Sequence, residues 1–492
     1  MRNDFLAHLQ KLSLNYFSTT TTGDIMAYAT NDISAVRMFV GPAVMYTANT
    51  VFSFIIIVGV MLAIHPLLTL YALLPLPLLS WAVNRLGNLI HKRYEEIQQH
   101  YGVLTSRANE NISGIRVVKA YLREQYEIGV FRRLSEEYRD RNMRMVRIQS
   151  LFMPMLGLLV GVSVILIIWL GGRAVIAQEM TLGALMQFII YLGMLIWPMA
   201  AIGWVVNLVQ RASASMKRLD QVLLREPDIA DGPETDHAIA RLHGNIRFEH
   251  VSFRYGENLP EVLRNIDLEL KAGETLGIIG MTGSGKSSLV QLIPRLFDVS
   301  TGTVFIDGHD VRRIPLEVLR RHISFVTQET FLFSDTLRNN IGYGVDGADE
   351  ADVLEAASLA QLDKDVRDFP KGYETMLGER GITLSGGQKQ RVSLARALLR
   401  NPTILILDDA LSAVDTHTEE DILRRLRTVL AGRTSILISH RISTVQLADR
   451  IIVLRDGEIT EEGTHEQLVA LEGLYADLYQ KQLLAAELEE ME

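Results

Sequence analysis

Residues 276–290, LGIIGMTGSGKSSLV, join a buried-strand pattern to a glycine-rich turn and the start of a helix. The turn has the form Gly280-x-x-x-x-Gly285-Lys286-Ser287. In such a loop, backbone N–H groups surround phosphates, the lysine reaches the β and γ oxygens, and the serine hydroxyl ligates Mg²⁺. A glycine-rich turn with an incidental lysine is the alternative. The strand–loop–helix context favours a nucleotide-binding α/β domain.

A second stretch supplies carboxylates to this nucleotide. Residues 404–415, ILILDDALSAVD, run from four apolar residues into Asp408 and Asp409. Buried carboxylates are costly without a cation, so we expect Asp408 to end a strand neighbouring the phosphate-loop strand and to hold Mg²⁺ through water. Asp409 then occupies the position of a base or a water-orienting group. A second interpretation, in which Asp409 only caps the following turn, stays open at this point.

A third stretch, ITLSGGQKQRVSLARALLR (382–400), has the features of another anion-binding helix start. Ser385 is a favourable N-cap residue, and Gly386-Gly387 permits close approach of the backbone. The free N–H groups and the dipole of the helix that follows favour an anion. Alone, this pattern is typical of an ordinary cap; together with the loop at 280–287 it predicts a second phosphate contact.

The first half of the chain is apolar enough to enter a membrane. Between Gly41 and Asn84 there is no Asp, Glu, Lys or Arg. About 20 apolar residues span a bilayer, and the His65-Pro66 pair indicates a tight turn within this run. Buried helices of a large soluble core are the alternative that such long uncharged runs disfavour. The predicted spans are about 42–64, 67–86, 151–171 and 182–209.

The charge distribution predicts the topology. The segment 85–150 between the two pairs of spans is rich in Arg and Lys, whereas the short connections contain only Arg173. Basic segments remain cytoplasmic, so both termini and 85–150 are expected inside. The net charge of −9 argues against a nucleic-acid partner. The absence of cysteine excludes disulfides and thiolate chemistry.

The 492 residues are sufficient for several domains. A polar stretch with prolines and glycine, within residues 226–244, follows the apolar half of the chain. After it, strand and helix patterns alternate, which is typical of an α/β domain. The predicted organisation is a membrane domain with cytoplasmic loops (1–225), a linker (226–244), a nucleotide-binding domain (245–482) and an acidic tail (483–492).

The C-terminal 250 residues resemble the nucleotide-binding domain of ATP-binding cassette (ABC) transporters. LSGGQ (384–388) matches the signature of that family, and GMTGSGKS matches its phosphate loop. The resemblance implies that Tyr255 stacks on adenine, that Gln328 senses Mg²⁺ and the attacking water, and that His440 contacts the γ-phosphate. It also identifies SAVD (412–415) as the D-loop.

The residues implied by this resemblance fall into three groups. Catalytic roles fall to Asp409, His440 and Gln328. The Mg²⁺ ligands are Ser287, Gln328 and Asp408. ATP is bound by Tyr255, Gly280, Thr282, Gly283, Ser284, Gly285, Lys286, Ser287 and Ser288 and by the signature residues Ser385, Gly386, Gly387 and Gln388.

The first half resembles multidrug-type ABC exporters. TTGDIMAYATNDISAVRMF and ENISGIRVVKAYLREQYEIGVF resemble their intracellular loops, and GERG (378–381) resembles their exporter-specific loop. The implied fold is an α-helical membrane domain followed by an α/β P-loop domain with an antiparallel β subdomain and a helical signature subdomain. The implied function is ATP-driven export of hydrophobic or amphipathic compounds across the cytoplasmic membrane. Such exporter halves carry six spans, so we expect the first two to be absent from this sequence.

Asp409 departs from the family, which has a catalytic glutamate there. Aspartate retracts the carboxylate by ~1.5 Å, and a misplacement of ~1 Å can cost ~100-fold in rate. We therefore expect a degenerate ATP site and a heterodimer whose other half supplies the glutamate. A homodimeric exporter and a regulatory or channel-like subunit with little hydrolysis remain open. A soluble cassette ATPase acting on DNA or ribosomes is disfavoured by the apolar spans.

Overall fold

The computed structural model describes residues 1–378 and 384–490, which form two compact units. The first contains residues 1–6 and 22–225, and the second contains residues 7–21 and those from Glu226 onward. Apart from Gly378, the predicted exporter-specific loop GERG lies outside the described residues.

The first unit is built from helices. The chain begins with two short helices, Arg2–Leu9, whose first residues belong to this unit, and Leu14–Thr19, which belongs to the second unit. The other α-helices of the first unit are Thr22–Ala27, Ile33–Met38, Val44–Ile64, Pro66–Leu73, Pro75–Ser113, Ile115–Ala120, Glu124–Gln149, Phe152–Leu166, Gly172–Ile176 and Leu182–Leu223. Single π-helical turns join some of them, at Tyr28–Asp32, Phe39–Ala43 and Ile167–Gly171.

The turn predicted at His65-Pro66 is present. Helix Val44–Ile64 ends there and the next helix begins with Pro66, whose missing N–H costs nothing at a first helical position. The His65 side chain caps the new helix, because its Nδ1 accepts a hydrogen bond of 3.1 Å from the Leu68 N–H. The sequence therefore encodes this break twice, by proline and by a capping imidazole.

Two segments of the described chain are long and apolar enough to cross a membrane, Thr22–Ile64 and Glu124–Ile176, and Leu182–Ile196 is a shorter apolar helix. The two long segments include the predicted spans at 42–64 and 151–171. The predicted spans at 67–86 and 182–209 stay predictions.

A buried carboxylate ties two parts of the first unit together. Asp32 accepts hydrogen bonds from the Ser215 hydroxyl (2.7 Å) and from Arg218 Nε (2.9 Å). Asp32 and Ser215 are buried, whereas Arg218 is half exposed. The contact fixes the long helix Leu182–Leu223 against the turn that ends at Asp32.

The second unit contains two sheets. Its strands are β1 (Ile246–Phe253), β2 (Leu263–Leu270), β3 (Thr275–Gly280), β4 (Thr301–Ile306), β5 (His309–Asp310), β6 (Ile323–Val326), β7 (Ile404–Asp408), β8 (Thr434–Ile438), β9 (Arg450–Arg455) and β10 (Glu458–Gly463). The four-stranded sheet β2-β1-β4-β5 is antiparallel. The six-stranded sheet has the order β10-β9-β3-β8-β7-β6 and is parallel except for the β10-β9 pair.

Helices surround the six-stranded sheet, whose central strands β3, β7 and β8 are buried along their whole length. The α-helices of this unit are Lys286–Gln291, Leu316–His322, Leu337–Gly342, Glu350–Leu359, Asp363–Arg367, Gly386–Leu399, Thr416–Leu430, Ile442–Val445, His465–Ala470 and Leu474–Glu490, with a 3₁₀ turn at Gly372–Glu374. Burial on both faces explains the uninterrupted apolar runs in the sequence.

The expectation that Asp408 ends a strand next to the phosphate-loop strand is wrong. Strand β8 lies between β3 and β7, and its Ile436 pairs with Leu276 on one side and with Ile406 on the other. The reason is a crossover that no local pattern encodes. Because all three strands are parallel, their carboxyl ends still meet at one edge of the sheet.

The linker 226–244 has no regular secondary structure, but its end is held by Asp307, the residue that follows β4. The Asp307 carboxylate accepts hydrogen bonds from the backbone N–H groups of His243 (2.5 Å), Gly244 (3.1 Å) and Asn245 (2.9 Å). Burial alone would raise the pKa of Asp307, but these N–H donors outweigh it and hold that pKa below its ordinary value.

Residues 7–21 pack with the second unit. The predicted membrane domain, 1–225, had included them. The Ser13 hydroxyl donates a hydrogen bond of 2.7 Å to Asp228 in the linker. A contact across more than two hundred residues of sequence leaves no signal in the local pattern.

Candidate functional site

The phosphate loop follows β3 directly, as the sequence predicted. Gly283 and Thr282 are exposed at its tip, and the hydroxyl of Ser284 is buried without a hydrogen-bond partner in the described structure. Gly285 begins the helix Lys286–Gln291 with φ +101°. A Cβ at Gly285 would lie 2.9 Å from the Val262 carbonyl oxygen, so both the conformation and the space require glycine.

Lys286 closes the loop from beneath. Its Nζ donates hydrogen bonds of 2.9 Å to the carbonyl oxygens of Gly280 and Met281. Burial lowers the pKa of the Lys286 ammonium, while the nearby carboxylates of Asp409 and Asp408 oppose that shift. A buried cation with two acids on one side is a suitable counter-charge for the phosphates of a nucleotide.

Asp408 ends β7 in a buried position and contacts the start of the loop helix. Burial raises the pKa of its carboxyl, and the Asp409 charge acts in the same direction, whereas a hydrogen bond from the Ser287 side chain and the charge of Lys286 lower it. The structure thus brings together Ser287, Lys286 and Asp408 across the intervening strand. A hydroxyl beside a carboxylate is the type of oxygen pair that Mg²⁺ binds.

Asp409 faces the residue that follows β8. Its carboxylate accepts a hydrogen bond from the backbone N–H of His440 (3.3 Å) and lies 3.4 Å from His440 Nε2. Asp409 is 6% exposed, whereas the His440 side chain is 45% exposed. The turn after Asp409 is closed by its backbone carbonyl, which accepts from Ser412, and not by its side chain. The turn-capping interpretation of the carboxylate is therefore wrong.

The Asp409 backbone has φ +49°, in the left-handed region. Aspartate is among the non-glycine residues enriched in this region, because its short polar side chain tolerates it. The local conformation therefore also favours a short acid at this position.

Gln328 and Tyr255 lie at the margins of this edge of the sheet. Gln328 is exposed two residues beyond the end of β6, the strand beside β7. The hydroxyl of Tyr255 lies 2.8 Å from Ser288 Oγ, at the helix that follows the phosphate loop. The Tyr255 ring packs edge to face against Phe253 and Phe297, with ring centroids 4.8 Å and 5.1 Å away. These contacts hold the partly exposed ring beside the helix that follows the phosphate loop.

The signature forms a capped helix start. Ser385 Oγ accepts from the Gln388 N–H (3.2 Å) and Gln388 Oε1 accepts from the Ser385 N–H (3.0 Å), which is a reciprocal capping box. Gln388 also donates to Asp365 (2.8 Å). Gly386 is exposed, whereas a Cβ at Gly387 would lie 2.7 Å from the Ala413 carbonyl oxygen. Only glycine permits this approach.

Gln390 was missed by the sequence reasoning. It is buried on the signature helix, where its Nε2 donates to the Asp409 carbonyl (3.2 Å) and to Ser412 Oγ (2.9 Å), and its Oε1 accepts from the Ala413 N–H (2.8 Å). The signal in the sequence was a glutamine at a core-facing helix position. Through Gln390, the signature helix is joined to the segment that follows Asp409.

Two family descriptions match the chain. The ABC transporter transmembrane region matches residues 1–199, and the ABC transporter domain matches residues 263–412. The chain belongs to the ABC transporter family. The chain is an ATPase coupled to transport, as the ABC transporter domain and the relatives described below show. Its fold is that of an ABC exporter.

Similar ABC transporters of known name are exporters of several kinds. The chain is 40% identical over 485 residues to the "Probable multidrug resistance ABC transporter ATP-binding/permease protein YheI" of Bacillus subtilis (strain 168), covering 98% of this chain and 83% of that protein. It is 39% identical over 482 residues to the ATP-dependent lipid A-core flippase of Syntrophus aciditrophicus, covering 98% and 80%.

The multidrug resistance-like ATP-binding protein MdlA of Escherichia coli (strain K12) is 38% identical over 491 residues, covering 100% of this chain and 83% of that protein. Among solved structures, a bacterial Atm1-family ABC exporter with ATP bound aligns with a TM-score of 0.83 and 30% identity, covering 98% of this chain and 84% of that one. This ABC transporter is therefore close to multidrug-resistance-like exporters.

Proposed function

We propose that this chain is one half of a heterodimeric exporter that uses ATP to move hydrophobic or amphipathic compounds across the cytoplasmic membrane. The names of two relatives suggest such cargo: one is a probable multidrug resistance transporter and the other is an ATP-dependent lipid A-core flippase. In this pairing, the chain's own nucleotide site mainly holds ATP, and its signature completes the site of a different partner.

The observation that carries the proposal is the position of the Asp409 carboxylate. It is one methylene shorter than the family's glutamate, and it is already engaged with the backbone N–H and the imidazole of His440. A water at the γ-phosphate would therefore compete for a carboxylate that is already turned toward His440. Both the shorter reach and this competing contact reduce its fitness as a base.

The signature, in contrast, has every feature that phosphate binding needs. The Ser385 cap is formed, Gly387 lies directly against the Ala413 carbonyl, and the helix that follows has 14 residues. An intact signature beside a weakened base makes sense if the two serve different nucleotides. The partner then contributes the glutamate for the hydrolytic site.

The nucleotide site fits ATP and Mg²⁺. The phosphate loop leaves the Ser284 hydroxyl unpartnered and places the Lys286 ammonium beneath its carbonyls. We assign Mg²⁺ to Ser287, Asp408 and Gln328, since hydroxyl, carboxylate and amide oxygens are the ligands this ion prefers. Bound there, Mg²⁺ neutralises phosphate charge. The protein's own contribution is to orient ATP through Tyr255 and the loop.

The assignment to the cytoplasmic membrane follows from charge and hydropathy. The basic segment 85–150 favours a cytoplasmic location for itself and for both ends, which places the nucleotide-binding domain in the cytoplasm. The chain is then a multi-pass protein, with the spans predicted above.

The test is the ATPase activity of the full chain, purified without a partner and reconstituted in lipid nanodiscs. We expect slow turnover that Asp409→Asn changes only modestly. Asp409→Glu should raise turnover by about tenfold or more, since it moves the carboxylate forward by ~1.5 Å. Asp456→Glu is the matched control, because Asp456 is an exposed aspartate with a similar left-handed φ of +51°.

Two outcomes would contradict the proposal. Brisk ATPase of the chain alone that Asp409→Asn eliminates identifies a homodimeric exporter in which Asp409 is the base. In vesicles that contain the chain and a half with the glutamate, substrate flux without ATP turnover identifies a regulatory or channel-like subunit. Under the proposal, Ser385→Ala in this pair abolishes most turnover although it leaves both phosphate loops unchanged.

A further inference from the structure

Gln482 bridges the backbone on either side of Arg441. Its Nε2 donates a hydrogen bond of 2.7 Å to the carbonyl oxygen of His440, and its Oε1 accepts one of 2.9 Å from the Ile442 N–H. The side-chain amide thereby pairs with the main chain as another peptide group would. Both ends of the carboxamide are used, which fixes its orientation.

Gln482 lies at the end of the face through which its helix packs. The C-terminal helix Leu474–Glu490 packs through Tyr475, Leu478 and Tyr479 onto the apolar cluster that contains Ile442. Gln482 continues this face, seven residues after Tyr475 and three after Tyr479. The partly exposed Gln482 amide therefore lies where it can reach the main chain on both sides of Arg441.

The same short segment carries the candidate switch histidine. The His440 imidazole is half exposed beside Asp409, so it is not fixed by burial. Arg441 is held separately, because its side chain pairs with the buried Glu419, which also accepts a hydrogen bond from Thr444. The His440 backbone therefore has two attachments, to Asp409 on the side of β7 and to Gln482 on the side of the C-terminal helix.

We propose that Gln482 is a positioning residue for His440, so that the C-terminal helix sets the reach of the imidazole toward the γ-phosphate. Gln482 touches no nucleotide in this scheme and acts only through the His440 main chain. The inference rests on the proposed role of His440 at this nucleotide site. It adds the C-terminal helix to that site, although this helix lies more than 180 residues from the phosphate loop in the sequence.

The test measures the preference for ATP over ADP, since a γ-phosphate contact affects only the former. The full chain in lipid nanodiscs is titrated with β,γ-imido-ATP and with ADP in competition against a fluorescent nucleotide. Gln482→Met keeps the length of the side chain and removes both hydrogen bonds. We expect it to lower the preference about tenfold with ADP affinity unchanged within about twofold.

Two further variants define the route. Gln482→Glu keeps the acceptor for Ile442 but presents a carboxylate to the His440 carbonyl, so we expect a loss at least as large. In the His440→Ala background, Gln482→Met should have no additional effect, because its only route to the nucleotide has been removed. Gln480→Met and Gln480→Glu are matched controls, since Gln480 is exposed on the same helix.

The outcomes separate the inference from the role of His440. If His440→Ala lowers the preference and Gln482→Met does not, the positioning role is wrong. Additive effects in the double variant, or a loss of ADP affinity, also overturn it, because the helix would then act elsewhere. If His440→Ala itself leaves the preference unchanged, the assignment of His440 fails. Thermal unfolding of each variant shows that the fold is retained.

Discussion

Lys286→Met is the sharpest test of the nucleotide site. The ammonium group has three donors, and two are committed to the carbonyl oxygens of Gly280 and Met281. One donor is left for a phosphate oxygen. A charge-assisted hydrogen bond contributes about 1.5–3 kcal/mol, and the two lost bonds that shape the loop add about 1 kcal/mol. The sum of about 3 kcal/mol corresponds to a ~150-fold increase in Kd.

Methionine is chosen because an unbranched apolar side chain fills the buried space that Lys286 occupies. ATP affinity is measured by competition against a fluorescent nucleotide, on the full chain in lipid nanodiscs. Lys271→Met is the control, since Lys271 is an exposed lysine shortly before β3. An increase in Kd below about threefold would refute the assignment of this loop as the ATP site, provided that thermal unfolding shows a folded variant.

Three further predictions concern other residues of the second unit. Tyr255→Ala should weaken ATP binding by ~1–3 kcal/mol through loss of a stacking surface. Tyr255→Phe loses only the hydroxyl contacts with Ser288 and Gln291 and should bind nearly normally in the same competition assay. Burial raises the pKa of Asp408 above its ordinary 3.8, so the folding free energy that its ionisation costs accrues as the pH rises from 3.8 and is complete above the raised pKa. Asp408→Asn should therefore raise the melting temperature of the nucleotide-free chain at pH 7.5, and the gain should shrink as the pH falls through the raised pKa toward 3.8. Asp307→Asn should destabilise the chain by about 2 kcal/mol in chemical unfolding, because an amide oxygen cannot accept from the N–H groups of His243, Gly244 and Asn245 together. Asp456→Asn, at an exposed position, is the control and should change stability by under about 0.5 kcal/mol.

The sequence predicted those parts of the site that are local in the chain. The loop from Gly280 to Ser287, the cap at Ser385 and the break at His65 each result from residue types at fixed spacing, and each adopts the expected conformation. Local patterns determine these features because their hydrogen bonds join residues a few positions apart.

Contacts between distant segments were not predictable in the same way. The order β3-β8-β7 and the packing of residues 7–21 with the second unit depend on which segments meet in space. Gln390 and Gln482 show the same limit, since each is a single glutamine whose partners lie about 20 and about 40 residues away. The buried position of Gln390 is a signal that some partner exists, but it does not identify that partner, and the partly exposed Gln482 gives no such signal.

The asymmetry that we propose for the two ATP sites has its structural basis on the two sides of Asp409. The carboxylate lies toward His440, whereas the backbone carbonyl is held by Gln390, which also fixes Ala413 beside Gly387. In the proposed heterodimer, the signature binds the partner's nucleotide, so a shift of the signature helix reaches the Asp409 main chain directly. That connection does not require the carboxylate to act as a base. Under this proposal, a short acid that tolerates a left-handed backbone can preserve communication between the two sites even where hydrolysis at its own site is weak.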